Sequence, residues 1–161
     1  MRIDETDTSE LAQRLRVGPR ELLRAIGGPW WIVERAPESE AEQPGTLFVG
    51  RAGPSVGVLL AAEGDATLLV GAATGRWDGP AALVWRLSGP LVEVAAPARD
   101  TSRAEMDAFI DVLQGAVDDA AAAKAPELVT CRYCGMLVGP EHAFGDECCQ
   151  GCSSSVLGVV Y

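Results

Sequence analysis

Residues 46–71, TLFVGRAGPSVGVLLAAEGDATLLVG, hold three short apolar runs, Thr46–Arg51, Val56–Ala61 and Ala66–Gly71, and their spacing decides the fold. The runs are rich in Val, Leu and Ala and are broken by turn formers such as Gly64-Asp65, the pattern of successive strands. A parallel pair needs a crossover of a dozen residues or more, and these gaps have no room for one, so the strands pair antiparallel as a meander. Working outward, Trp30–Glu34 precedes them, and Ala81–Leu87 and Leu91–Ala95 follow, set off by Asp78-Gly79-Pro80 and Ser88-Gly89-Pro90. That makes about six strands. The piece Gly71-Ala-Ala-Thr-Gly75 lacks the Lys of a phosphate-binding loop and reads as a turn. Residues 37–45, with Glu38, Glu40 and Glu42, read as an exposed acidic loop.

Helices flank the strands. Ser9–Arg16 and Pro19–Ile26 are two short ones broken at Val17-Gly18, with Asp7 or Thr8 as cap of the first and Pro19 at the first position of the second. Residues 101–123 form a long amphipathic helix. Ser102 and Glu105 make a capping box, and Met106, Phe109, Ile110, Leu113 and Val117 fall on one stripe opposite Asp107, Asp111, Gln114 and Asp118. Ala125-Pro126 ends it and marks a boundary between an α+β domain at 1–125 and a small module at 126–161.

With 48% hydrophobic residues the chain can bury a core. Its net charge of −10 is spread unevenly: residues 1–27 are neutral, 28–100 carry −4, 101–125 carry −3 and 126–161 carry −3. Nucleic acid is held through Lys and Arg that neutralise phosphates, so this balance disfavours it as a partner. There is no apolar leader at the N-terminus and no run of about 18 apolar residues, which points to a cytoplasmic protein without a membrane span.

All five cysteines lie between Cys131 and Cys152. A disulfide framework would staple the whole chain, whereas clustering at one end suggests a local metal site. Cys131-Arg-Tyr-Cys134-Gly135 and Cys149-Gln-Gly-Cys152 give a C-x2-C-x14-C-x2-C spacing, in which each tight turn presents two thiolates to one ion. Cys148 and His142 are alternative ligands, though Cys148 makes a poorer knuckle and four spaced cysteines leave His142 surplus. A redox pair is the competing reading, and Cys148-Cys149 would be the centre of a thiol sensor.

The stretch 127–161 resembles the zinc-ribbon and treble-clef four-cysteine modules through Cys131, Cys134, Gly135, Cys149 and Cys152. The resemblance implies one structural Zn2+ per chain, a β-hairpin formed by Met136–Val138 and Glu141–Phe144, a helix at Ser153–Leu157, and use as a docking platform. The apolar tail Val156–Tyr161 is expected to pack against the rest of the chain.

The segment 9–26 resembles a helix-turn-helix, with Ala12 at the small position and Arg20 and Arg24 on the exposed face of the second helix. Arg16 stands where a turn glycine is usual, and no third helix follows before the strands. A helical hairpin packed against the sheet is the simpler expectation. For catalysis, the single His leaves no base beside a nucleophile, and Ser153-Ser154-Ser155 has no partner. The sequence thus points to a non-catalytic zinc-binding adaptor that engages a protein partner or its own copy. A transcriptional regulator and a thiol redox sensor are the alternatives.

Overall fold

The computed structural model describes residues 3–37, 45–51, 53–63, 67–80 and 82–158. Most of the acidic loop and the Gly64-Asp65 turn lie outside these, as do residues 159–161 of the tail. In chain order the elements are α1 (Ile3–Leu15), α2 (Pro19–Ile26), β1 (Trp30–Arg35), β2 (Thr46–Gly50), β3 (Val58–Glu63), β4 (Thr67–Trp77), β5 (Leu83–Ala95) and α3 (Arg103–Lys124). A second group follows: β6 (Val129–Thr130), β7 (Leu137–Val138), β8 (Ala143–Phe144), β9 (Cys148–Cys149) and α4 (Gln150–Ser155).

Strands β1 to β5 pair antiparallel in sequence order, and β1 then pairs parallel with β5 through Glu34–Val84 and Arg35–Trp85, closing a barrel. The expected six strands are five, because the runs 81–87 and 91–95 are one strand. Val70 pairs Val92 and Ala72 pairs Ser88, so Gly89, Pro90 and Leu91 lie opposite Gly71 alone. Gly89 takes φ 71°, and Pro90 has no N–H to give a ladder, so the segment bulges where a hairpin was expected. Gly71-Ala-Ala-Thr-Gly75 is likewise not a turn. It runs through β4, and the closed meander gives that long strand partners along its length.

Alternation along the strands feeds two cores. Leu47, Val49, Leu59, Ala61, Ala73, Trp85 and Leu87 fill one of them, with contributions from Trp31 and Val33 of β1. Drawn from every strand of the barrel, this set is its interior. The opposite faces present Trp30, Phe48, Val58, Leu60, Leu68, Val70 and Val94 to the helices. Leu11, Ala12 and Leu15 of α1, Leu22 and Ile26 of α2, and Phe109, Leu113 and Val117 of α3 cover them.

The helix pair docks on the barrel. Helix α1 starts earlier than expected, so Asp7 and Thr8 are not caps but lie within it. Their side chains bond the free edge of β1: Thr8 Oγ1 accepts from the Trp30 amide at 3.0 Å, and an Asp7 carboxylate oxygen accepts from the Ile32 amide at 2.9 Å. β1 meets β5 only at its far end, so these polar groups satisfy backbone that the ladder leaves open. Helix α1 ends in a Schellman motif with Arg16 at φ 57°. The Val17 amide reaches the Ala12 carbonyl at 3.0 Å and the Arg16 amide the Gln13 carbonyl at 3.1 Å. Arg16 thus adopts the left-handed conformation that a glycine would take there, and its guanidinium donates to the Pro97 carbonyl at 2.8 Å.

Both bonds of the Ser102 capping box are present at the start of α3. Glu105 N–H donates to Ser102 Oγ at 3.2 Å, and the Ser102 amide donates to Glu105 Oε2 at 2.9 Å. These bonds hold the Glu105 carboxyl below its ordinary range. Ser102→Ala is expected to cost about 1 kcal/mol, read as a lower urea midpoint with an unchanged slope. A cost near zero would mean that α3 does not depend on this cap.

Candidate metal centre and barrel mouth

The chain leaves α3 through a tight 3-10 turn at Ala125–Glu127 and enters the cysteine module. β6 pairs with β7, Val129 facing Val138 and Thr130 facing Leu137, so the first knuckle is the tip of that ladder. Gly135 at φ 73° turns the chain, and its amide donates to the Cys131 carbonyl at 2.8 Å while the Cys131 amide donates to Met136. β8 pairs with β9, Ala143 facing Cys149. The expected hairpin of 136–138 with 141–144 therefore does not form. Gly139-Pro140 leads instead into a 3-10 turn, Pro140–His142, which separates the two ladders. Cys149 caps α4, its Sγ accepting from the Cys152 amide at 3.4 Å. The helix begins earlier than expected, at Gln150, because the second knuckle itself forms its first turn. Val156 and Leu157 are exposed, so this part of the tail does not pack as expected.

The Sγ atoms of Cys131, Cys134, Cys149 and Cys152 all lie within 4.8 Å of one another. Cys134 and Cys149 are 3.9 Å apart. Four sulfurs at about 2.3 Å from one tetrahedral ion stand about 3.8 Å from each other. The donor set therefore fits a single ion, and it is far looser than a disulfide, whose sulfurs are about 2.05 Å apart. Cys131 is buried, and its thiol is drawn down to about 6, chiefly by the Cys149 amide and then by those of Cys134 and Tyr133. Hydrogen bonding with Cys149, reinforced by burial, pushes Cys152 the other way. The Arg132 amide donates to the Glu147 carbonyl at 2.8 Å and ties the first knuckle to the second.

The other candidates are not part of this four-sulfur set. Cys148 is buried with its thiol turned to the Cys149 carbonyl at 3.3 Å, and burial pushes that thiol up. His142 is engaged with the barrel: Arg51 Nη1 lies 2.6 Å from its Nε2. A guanidinium has only donors, so this nitrogen accepts and the imidazole is neutral. Burial first, and the Arg51 charge second, draw its pKa down to about 4. Arg20 and Arg24 are exposed on α2. The serine run turns back on α4, with Ser153 Oγ donating to the Gln150 carbonyl and Ser155 Oγ to that of Gly151.

The Pro140–His142 turn plugs one end of the barrel, a contact that sequence reading did not anticipate. The Glu141 carbonyl accepts from Trp77 Nε1 at 3.0 Å and from Gln150 Nε2 at 3.3 Å. The Glu141 side chain is buried over Gly75, where a Cβ would come within 3.0 Å of its Cγ. Burial raises its carboxyl, against the pull of Lys124 and Arg51. Arg51 in turn lies 4.2 Å over the Trp31 ring. Lys124 is 1% exposed, runs beneath Gly57 and pairs with Glu127 Oε2 at 2.8 Å. Between these groups and the cysteine module is a cavity of about 330 Å³, walled by Val49, Trp85, Met136, Leu137, Arg51 and His142 among others. Among the described residues no helix is long and apolar enough to cross a membrane.

Comparison with known proteins finds no family model, no curated sequence and no solved structure that matches this chain, so the functional reading rests on the cysteine geometry.

Proposed function

We propose that this chain is a non-catalytic interaction protein whose C-terminal module, residues 126–161, is held by one structural zinc ion on Cys131, Cys134, Cys149 and Cys152. The observation that carries the reading is the convergence of four thiol sulfurs from two knuckles on one point. Four thiolates close a tetrahedral shell, which leaves no position for water or substrate and makes the metal a scaffold. About 35 residues cannot bury enough surface to fold unaided, so metal binding supplies the folding energy. One knuckle at the tip of a ladder and the other at a helix start resembles the treble-clef arrangement. Reduced thiols of this kind suit the cytoplasm. The acidic balance and a closed site favour a protein partner over nucleic acid.

Native mass spectrometry of the untagged chain, purified without chelator, tests this. One zinc mass increment per chain is the expected result. A metal-free chain lighter by pairs of hydrogens would mean disulfides and would overturn both the site and the compartment.

A further inference from the structure

Half of the chain's exposed large apolar side chains sit in the small module: Tyr133, Met136, Leu137, Phe144, Val156 and Leu157, out of twelve among the described residues. Two of them, Met136 and Leu137, are 54% and 42% exposed, yet they also line the cavity between module and barrel. The cavity therefore continues onto the surface as a groove. Its floor is apolar, from Val49, Val56 and Trp85. Along its rim runs β7, which is paired on one edge only, with β6, among the described residues.

We propose that this groove is the docking site for a polypeptide segment of another protein that inserts a large apolar side chain and carries Lys or Arg beside it. The inference rests on the adaptor reading above and names the partner's chemistry. An open rim with exposed Met136 and Leu137 suits an extended chain better than an enclosed small molecule. The flanking charge comes from complementarity. Residues 101–125 and 126–161 each carry −3 with their cations counted, and those cations, Arg103, Lys124 and Arg132, are each paired with a carboxylate of the chain. Inside the groove the charged side chains are Arg51 and Glu141, burial raising the Glu141 carboxyl against the pull of Arg51, and His142 is neutral. The same −10 balance sets a second copy of this chain against itself.

The test is selection from a random peptide library displayed on phage, using the full chain with its metal content measured on the same sample. Enrichment of peptides with a large apolar residue next to Lys or Arg is expected. Binding of a synthetic peptide of the enriched sequence should weaken with salt and fall roughly tenfold or more in Met136→Glu and in Leu137→Glu. Leu23→Glu, on exposed α2, should leave it unchanged. Met136→Gln guards against misfolding, and each variant is checked for one zinc and an unchanged circular dichroism spectrum.

A zinc-loaded chain that enriches nothing, or enriches acidic peptides, overturns the inference alone. So does peptide binding that is indifferent to both groove substitutions. A concentration-dependent dimer abolished by Met136→Glu would give the groove to a second copy and overturn it too. A chain without metal would overturn the proposed function and this inference together.

Discussion

Replacing Cys131 with Ser is expected to remove the metal and unfold residues 129–155, while the barrel and its three helices stay folded. Cys131 is 1% exposed, the most buried of the four, and the amides of Cys149, Cys134 and Tyr133 draw its thiol down, so it ties both knuckles together. A hydroxyl at this position cannot supply a thiolate. Structural zinc sites contribute on the order of 10 kcal/mol of apparent binding free energy, and the module has no core of comparable size to fall back on. Loss of the zinc increment in native mass spectra, with collapsed amide dispersion for the module alone, would be the signature. Cys148→Ser is the control. Its thiol bonds a carbonyl and, though close to Cys131, is not one of the four clustered sulfurs, so the metal should stay and the cost should be about 1 kcal/mol. If Cys148→Ser strips the metal and Cys149→Ser does not, the second knuckle has been assigned to the wrong sulfur.

Those cysteines were legible because the chemistry is local: a two-residue gap forces two sulfurs onto one turn whatever surrounds it. The same holds for the Ser102-Glu105 capping box and for α2, which begins at Pro19 and ends at Ile26 as the sequence indicates. Barrel closure was not legible. It depends on Glu34 and Arg35 lying beside Val84 and Trp85, and a pairing so distant along the chain leaves no mark on either segment. Ser88-Gly89-Pro90 has the same composition in a bulge as in a hairpin turn, and only the strand opposite decides between them. Nothing in the sequence marks Lys124 for burial. Its burial follows from Gly57, whose missing side chain opens a channel for the lysine stem. The plug at the barrel mouth was hidden for a related reason: Gly75, in a run that looked like a turn, is the gap into which Glu141 packs.

Trp30→Ala should be the most damaging single change in the barrel, costing about 3–5 kcal/mol. The side chain is fully buried among residues of α1, α2, α3 and the outer barrel face. Its indole N–H donates to the Gly27 carbonyl at 2.9 Å, where α2 ends, and its backbone is held by Thr8 of α1. One residue therefore joins both N-terminal helices to the strand that closes the barrel. Its neighbour Trp31 points to the other face, where it is only partly buried under Arg51, so Trp31→Ala should cost less and disturb the groove more. Urea unfolding followed by far-ultraviolet circular dichroism separates the two. A domain of this kind has a total stability of about 5–15 kcal/mol, so Trp30→Ala should bring it near its limit, while Trp30→Phe should recover most of the packing and lose only the bond to Gly27. If Trp30→Ala costs no more than Trp31→Ala, the helix pair is not anchored through this residue. The N-terminal helices would then be free to leave the barrel, and a role for Arg20 and Arg24 outside it would have to be considered afresh.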